Sequence, residues 1–367
     1  MQKKLCVFLF YFLLLGSLDA VERYQLINLG LLKYRTSEAT SINQIGQICG
    51  TCQNKSKKYV FIWDPSGPLL NYSRIQSSSK PLINDKSEIF GSQLLPATDE
   101  VWDYEQEAIF CWKNPLSFFT FLNINGLGYP KEAAKRTPFD QKRAVLWDIN
   151  DQGEMILMSS DCLKDFFLGN PRGFKYQVWL YQKRQYKLIT HPQFSIGFSL
   201  NNQSKILGYY YGEKDSFRQD QKICTAIYNI KTKTVCPLEA PPNAIGKAIN
   251  DLDQIIGIFH HPLTYAVQGF FSQPSGDFVV LENFSPFKAN HKNLIVGKFL
   301  EGERKDKPAI WDNGRLYDLS ELVDLIDDQE NVWDSLDELV DLNDEGWIIG
   351  QGKFKGMSHG FLLRPIH

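Results

Sequence analysis

One motif recurs seven times along this 367-residue chain: an Asn, an Ile or Met five residues later and, in six of the copies, a Gly seven residues later. Its Asn residues are Asn43, Asn84, Asn150, Asn201, Asn250, Asn290 and Asn343, and an apolar residue precedes each of them. The glycine occurs in six copies, and Leu157 replaces it in the third. Chance does not place six glycines at one offset, so the chain is built from seven copies of one structural unit.

Each unit has the pattern of four short strands, A to D. An Asn-Asp-x-Gly turn such as 150–153 predicts a tight A–B corner, because Asn and Asp side chains bond nearby backbone. An apolar-aromatic run such as 309–312 and an Asn-Gly turn at 313–314 predict strand C and a tight C–D corner. Consecutive motif asparagines lie 40–66 residues apart, which is typical of β-propeller blades.

The two chain ends predict how the blades close. The last unit ends after its third strand, and residues 24–29 have the pattern of the missing fourth strand. The sequence therefore predicts an all-β, seven-bladed β-propeller of four-stranded antiparallel blades, closed by the N-terminal strand in the last blade. The predicted units are 38–75, 80–124, 143–190, 195–239, 244–283, 286–320 and 336–365 plus 24–29. An insertion is expected at 125–142, and a short helical, acidic segment at 319–338.

The first twenty residues have the pattern of an export signal. Lys3 and Lys4 precede eleven apolar residues, and 16–20 resemble a cleavage site. An uncleaved anchor is the alternative, although a membrane-spanning helix needs about 20 apolar residues. We expect a single propeller domain at 21–367 that is secreted, periplasmic or on the cell surface, with no transmembrane segment after signal cleavage. The net charge of −2 argues against a nucleic-acid partner, because such proteins carry a basic excess.

The cysteines of the chain leave two alternatives open. Cys224 and Cys236 flank a predicted hairpin, so they form either a disulfide or two free thiols. Cys49 and Cys52 form a Cys-x-x-Cys on predicted strand B, where residues three apart point to opposite faces. This second pair is therefore predicted to be structural.

Several stretches carry a family signal. Residues 248–257 are Ala-Ile-Asn-Asp-Leu-Asp-Gln-Ile-Ile-Gly, and 309–312 are Ala-Ile-Trp-Asp. They resemble the unit of bacterial HAF-type extracellular repeat proteins, Ala-x-x-Ile-Asn-Asp-x-Gly-Gln-Ile-Val-Gly followed by Ala-Phe-Leu-Trp. The opening at 26–30 and the ending at 318–365 also resemble that family, whereas the third unit departs from it. The resemblance implies a secreted or cell-surface β-repeat protein and brings no catalytic residues with it.

The sequence holds no motif that predicts a catalytic residue, a metal or a cofactor. Residues 356–360 match Gly-x-Ser-x-Gly, but a strand pattern follows where a nucleophile elbow needs a helix. The adjacent His260 and His261 point apart on an extended chain, which favours an ordinary loop over a metal site.

Function is expected on the face that carries the longer B–C and D–A loops, because variable loops on a rigid scaffold carry binding residues. The leading hypothesis is a monomeric, non-enzymatic binding or scaffold protein with a protein, peptide or glycan ligand. A glycan- or peptide-acting hydrolase or lyase at the channel mouth is the alternative, and a cation site on the acidic stretch 318–345 is a third. The candidate binding residues are Trp102, Tyr104, Asp165, Tyr209, Tyr210, Tyr211, Arg218, His260 and His261.

Overall fold

The computed structural model confirms the predicted β-propeller. Its described residues form seven sheets around a central channel. In each blade the first strand lines the channel, and the sheet continues outward in chain order. The structure describes residues 23–55, 57–67, 70–72, 80–95, 106–112, 120–122, 144–160, 176–182, 185–189, 194, 196–214, 221–238, 241, 244–261, 263–273 and 275–366.

Blades 1 to 6 are four-stranded antiparallel meanders. Blade 1 comprises β2 Thr36–Ile42, β3 Ile48–Asn54, β4 Lys57–Trp63 and β5 Leu70–Tyr72. Blade 2 comprises β6 Leu82–Ile83, β7 Ile89–Leu95, β8 Gln106–Trp112 and β9 Thr120–Leu122. Blade 3 comprises β10 Ala144–Ile149, β11 Met155–Ser160, β12 Tyr176–Gln182 and β13 Gln185–Ile189. Blade 4 comprises β14 Ile196–Leu200, β15 Lys205–Lys214, β16 Gln221–Asn229 and β17 Thr234–Pro237. Blade 5 comprises β18 Ile245–Ile249, β19 Ile255–His260, β20 Val267–Ser272 and β21 Phe278–Leu281. Blade 6 comprises β22 Phe284–Ala289, β23 Ile295–Phe299, β24 Pro308–Asp312 and β25 Arg315–Asp318.

Blade 7 joins the two ends of the chain. It consists of β27 Ser335–Leu342, β28 Ile348–Phe354, β29 Met357–Ile366, β1 Arg23–Asn28 and, at its outer edge, β26 Val323–Asp327. Strand β1 pairs antiparallel with β29, from Arg23 opposite Ile366 to Asn28 opposite Phe361. The predicted closure by the N-terminal strand is therefore confirmed.

The core formed by the described residues is divided into seven apolar clusters, each between two neighbouring blades. Alternate side chains of one strand enter different clusters, because successive residues of a strand point to opposite faces. Leu26 of β1 packs between blades 6 and 7, whereas Ile27 packs between blades 7 and 1. No blade can bury both of its faces alone, so the closed ring is the folding unit.

The repeated glycine has a packing reason in this ring. A Cβ on Gly257 would lie 2.2 Å from the carbonyl oxygen of Ile245 and 2.7 Å from the ring of Phe270. An aromatic ring therefore covers the glycine where strand A approaches closely. In blade 3 the same volume is filled differently, since buried Leu157 pairs with Trp179.

A short helix was predicted within the acidic segment 319–338, and the helix that forms there is confined to the start of the segment. Helix α1 is the single turn Leu319–Leu322, capped by the Asp318 side chain, which accepts the N–H of Ser320. The chain then turns into β26, because the outer edge of β1 offers free main-chain groups and β26 pairs with it in parallel. The predicted insertion at 125–142 and the predicted signal at 1–20 lie outside the described residues.

The described cysteines are free thiols, so the Cys224–Cys236 disulfide alternative was wrong. Cys236 lies opposite Ile227, three residues beyond Cys224, and the two side chains therefore point to opposite faces of the sheet. Cys49 and Cys52 enter different inter-blade clusters, as predicted, and burial raises the pKa of both thiols.

In the described part of the chain, no helix has the length and hydropathy of a membrane span.

Candidate binding site

The motif asparagines shape the A–B corners at one end of the channel. The side-chain oxygen of Asn150 accepts the N–H groups of Gln152 and Glu154, at 3.1 and 3.0 Å. Such local bonds hold the tight turn that the sequence predicts. Because all seven turns lie around one axis, they form one end of the channel, called here the turn-end mouth.

The same asparagines also bond from blade to blade. Each side-chain amide donates its N–H to the main-chain carbonyl of the next motif asparagine, at 2.9–3.4 Å. Among the described residues these seven bonds form a closed circle, called here the asparagine ring. All seven asparagines are largely buried, which makes each lost bond costly.

A second circle, the mouth ring, is made by the residue after each asparagine. It holds four carboxylates and three other polar side chains: Gln44, Asp85, Asp151, Asn202, Asp251, His291 and Asp344. Main-chain N–H groups of six members donate to the side chain of the next member, at 2.6–2.9 Å. These bonds fix the carboxylates at the channel wall.

Deeper in the channel, side chains two residues before the motif asparagines also form hydrogen bonds between neighbouring blades. Asp148 accepts the main-chain N–H of Leu200 at 2.7 Å, and Asp341 accepts that of Ile42 at 3.2 Å. Lys288 occupies the equivalent position of blade 6. Its ammonium lies in the field of both carboxylates.

These layers enclose an axial cavity of about 370 Å³. Three aromatic side chains and a second lysine line its deeper part: Trp147, Phe198, Phe287 and Lys247. Trp147 keeps 47% of its surface exposed, so an aromatic ring is available in the wall. A concave site with aromatic walls and a few fixed polar groups is the usual form of a ligand pocket.

Carboxylates dominate the charge of this cavity. Among the described residues, six aspartates line it, against two lysines and one histidine: Asp85, Asp148, Asp151, Asp251, Asp341 and Asp344, then Lys247, Lys288 and His291. Burial raises the pKa of Asp85, and repulsion by Asp151 and Asp251 raises it further. Burial also raises the pKa of Asp148 and of Asp341.

The two lysines of the cavity differ from each other. Asp341, Asp148 and Asp251 together raise the pKa of Lys288, so it keeps its proton. Burial and repulsion by Lys298 lower the pKa of Lys247 to about 8. The electrostatic potential at Lys247 is therefore less negative than the potential at Lys288.

His291 places an imidazole ring at the turn-end mouth. Its Nδ1 lies 2.9 Å from a carboxylate oxygen of Asp344, and its Nε2 lies 3.9 Å from Asp251. In the part of the chain that the structure describes, no three His, Cys, Asp or Glu side chains form a metal-binding group.

Most of the predicted binding residues lie away from this cavity or outside the described residues. The ring of Tyr209, on β15, lies 4.7 Å from that of Phe198, a residue of the cavity wall, at a tilt of 42°. His260 ends β19 on the surface, and Nδ1 of His261 accepts loop N–H groups from Leu263 and Thr264. The backbones of Tyr210 and Tyr211 lie in β15. Trp102, Tyr104, Asp165 and Arg218 lie outside the described residues.

The sequence contained a signal for the mouth ring that the prediction did not use. The residue after the repeated Asn is polar in all seven units and acidic in four. In a closed repeat ring, one repeat position meets its six equivalents around the axis. A polar position of this kind therefore indicates a polar axial site. The prediction of a site on the long-loop face stays a prediction.

Fold and site together define a seven-bladed β-propeller with a polar axial cavity. No protein-family model matches the chain, and no curated protein is significantly similar in sequence. Among solved structures, YCF48 bound to D1 peptide is similar with a TM-score of 0.51, at 10% identity over 96% of this chain and 99% of that chain.

Two protease structures are also similar. The tricorn protease has a TM-score of 0.51 at 9% identity, with 96% of this chain and 36% of that chain covered. The β-propeller domain of the Trilobed protease from Pyrococcus furiosus has a TM-score of 0.49 at 9% identity, with 78% and 82% covered. At such low identity the likenesses to YCF48 and to the tricorn protease establish the propeller fold alone.

Proposed function

We propose that this chain is a non-enzymatic binding protein whose axial cavity takes a positively charged organic group. The group enters through the turn-end mouth, either as a Lys or Arg side chain of a partner or as a small amine. The observation that carries this proposal is the cavity itself, where six carboxylates and three aromatic rings converge.

Electrostatics favours a cation at this site. In the described part of the cavity wall six carboxylates face two lysines, and a cleft lined mainly by one sign of charge concentrates counter-ions of the other sign. The carboxylates need no rearrangement to receive a ligand, because main-chain N–H groups of neighbouring blades already hold them. Trp147 adds an aromatic face, which attracts cations and covers their apolar stems.

The size of the cavity limits the ligand. Ligand pockets span roughly 300–1,000 Å³, so a cavity of about 370 Å³ admits one long side chain or a small molecule. A partner protein would insert a single basic residue and rest the remainder of its surface on the seven turns. The YCF48 structure holds a peptide on a propeller, so the fold is compatible with such a partner.

Tryptophan fluorescence and calorimetry test this proposal. Spermidine and N-acetyl-lysine methylamide are expected to bind and to change the emission of Trp147, whereas N-acetyl-norleucine methylamide is not. The contact of Trp147 with the cavity is the reason for this readout. Equal affinity for the lysine and norleucine probes would refute the cation site.

A matched pair of variants localises the binding. Asp85→Asn combined with Asp344→Asn removes two charges from the mouth ring and keeps the side-chain oxygens that accept N–H groups. Asn202 already fills this role in blade 4. The double variant is expected to weaken spermidine binding by at least about tenfold. Asp277→Asn, an exposed turn residue of blade 5, is the control and leaves affinity unchanged.

A hydrolase or lyase at this mouth is the second candidate, and His291 is the observation that favours it. An imidazole next to carboxylates is suited to general acid–base work. Incubation with basic peptides and oligosaccharides, followed by mass spectrometry, tests it. Turnover that His291→Gln abolishes would establish an enzyme, whereas unchanged substrates alongside spermidine binding would leave the binding protein.

Export and the HAF-type resemblance belong to the same proposal. The pattern at 1–20 supports a cleaved signal, and a propeller that binds partners outside the cytoplasm is consistent with it. N-terminal sequencing of the protein recovered from a producing cell tests this point. A mature chain beginning near residue 21 outside the cytoplasm supports export, and an intact Met1 on an internal protein contradicts it.

A further inference from the structure

Lys247 is the second amine of the axial cavity, and its surroundings are unusual for a lysine. It lies on β18, half-buried, and Nζ donates to the hydroxyl of Ser285 in the next blade at 2.8 Å. The ring of Phe287 lies 5.1 Å from the same nitrogen. A hydroxyl and an aromatic face solvate an ammonium less well than a carboxylate does.

Several other described lysines have carboxylate partners. Nζ of Lys205 lies 2.6 Å from Asp253, and that of Lys298 lies 2.5 Å from Asp306. Within the described residues, Lys247 has no such ion pair. Its surroundings therefore stabilise the ammonium less than a carboxylate partner would.

The pKa agrees with this geometry. Burial, together with repulsion by the ammonium of Lys298, lowers the pKa of Lys247 to about 8. At pH 7.4 a larger share of the molecules then carries a neutral amine at this position than at an ordinary lysine, whose pKa is about 10.4. Only the neutral amine has the lone pair that attacks a carbonyl carbon.

We propose that Lys247 is a carbonyl-reactive amine, which captures a small uncharged aldehyde entering the axial cavity as a reversible imine. The amine nitrogen forms a bond to the carbonyl carbon while the C=O π bond breaks, giving a carbinolamine. Loss of water, which carries away the carbonyl oxygen and two protons from nitrogen, leaves the C=N bond. The hydroxyl of Ser285 is hydrogen-bonded to Nζ of Lys247, so it is placed to relay one of these protons.

The cavity restricts the class of aldehyde. Its volume of about 370 Å³ admits small molecules, and its polar wall favours hydroxyaldehydes, including short open-chain sugars. The excess of carboxylates disfavours anionic aldehydes. This inference goes beyond the proposed function and does not require a cationic ligand, so either proposal can fail without the other.

Competitive labelling tests the inference on the folded wild-type chain. The protein is treated at pH 7.4 with a limiting amount of glycolaldehyde and with cyanoborohydride, which reduces any imine to a stable amine. Peptide mass spectrometry then measures each lysine. Lys247 is expected to be labelled at least about tenfold faster than exposed Lys355 and than Lys288 in the same cavity. Equal rates at Lys247 and Lys355 would overturn the proposal.

Two further measurements separate reactivity from mere exposure. Lys298→Gln removes the neighbouring ammonium without touching Lys247, and it is expected to slow Lys247 labelling about two- to threefold. In 8 M urea the difference between Lys247 and Lys355 is expected to disappear, because it depends on the folded cavity. A preference that persisted in urea would reflect local sequence and would contradict the inference.

Discussion

The side-chain amide of Asn343 donates to the main-chain carbonyl of Asn43 at 3.2 Å, although the two residues lie 300 positions apart in the chain. This bond closes the asparagine ring. The side-chain oxygen of each member accepts N–H groups of its own turn, and its side-chain N–H donates to the next blade. Local turn formation and blade-to-blade attachment therefore depend on the same residue.

Asn343→Asp is expected to lower the free energy of unfolding by about 1–3 kcal/mol. Aspartate keeps the oxygen that accepts the N–H groups of Glu345 and Trp347, but it loses the donor to Asn43 and places a carboxylate beside that carbonyl. Urea unfolding measures the effect. The control is Asn229→Asp, in an exposed turn whose bonds use only the oxygen, and it should change stability by less than about 0.5 kcal/mol.

Gly257→Ala is expected to destabilise the fold by about 1–3 kcal/mol. The added methyl group would meet the carbonyl oxygen of Ile245 at 2.2 Å, and this main-chain atom cannot move without disturbing the β18–β19 ladder. Gly67→Ala is the matched control, because nothing lies within 4 Å of its added Cβ. Similar melting temperatures for the two variants would show that the recurring glycine has another origin.

Leu26→Ala tests the closure of the ring by the N-terminal strand. Leu26 is 1% exposed and packs between blades 6 and 7, so its truncation should cost about 2–5 kcal/mol. The neighbouring Gln25 points to solvent, and Gln25→Ala should be nearly neutral. Hydrogen exchange in β29 should also speed up in Leu26→Ala, because β29 pairs with β1. Unchanged exchange there would contradict a closing role for β1.

The spacing of the repeat was enough to predict the fold, and the reason is physical. A unit with four apolar strand patterns and two tight corners has two apolar faces, which only neighbouring units can cover. The incomplete last unit and the pattern at 24–29 then predicted the closure that β1 and β29 make. These features are local along the chain or repeat at a fixed period.

The axial cavity was beyond the same reasoning because it depends on contacts between units. The side-chain oxygen of Asn150 was expected to hold its own turn, but nothing in one unit shows that its N–H reaches Asn201. Loop variability directed the prediction to the opposite face. Strand β26 was also missed, because pairing with β1 outweighs a weak helical pattern around Leu322.

Lys247→Met gives the prediction for pH dependence. The pKa of Lys247 in the folded protein is about 8, below the ordinary value of about 10.4 in the unfolded chain. Between these values the unfolded chain binds a proton that the folded one lacks, so this lysine makes stability rise with pH there. Below pH 8 both states carry the proton, and the folded state then bears the full cost of a charged Lys247, on the order of 1–3 kcal/mol.

Lys247→Met should therefore be more stable than the wild type at pH 7, and the advantage should shrink towards pH 10.5. Lys288→Met is the matched control with the opposite sign at pH 7, because Asp341 and Asp148 favour the charged form of Lys288 and its removal leaves them without a cation. Urea unfolding at pH 7, 8.5 and 10 measures both variants. A difference between Lys247→Met and the wild type that did not change with pH would show that Lys247 keeps an ordinary pKa, and it would also remove the basis for a reactive amine in the cavity.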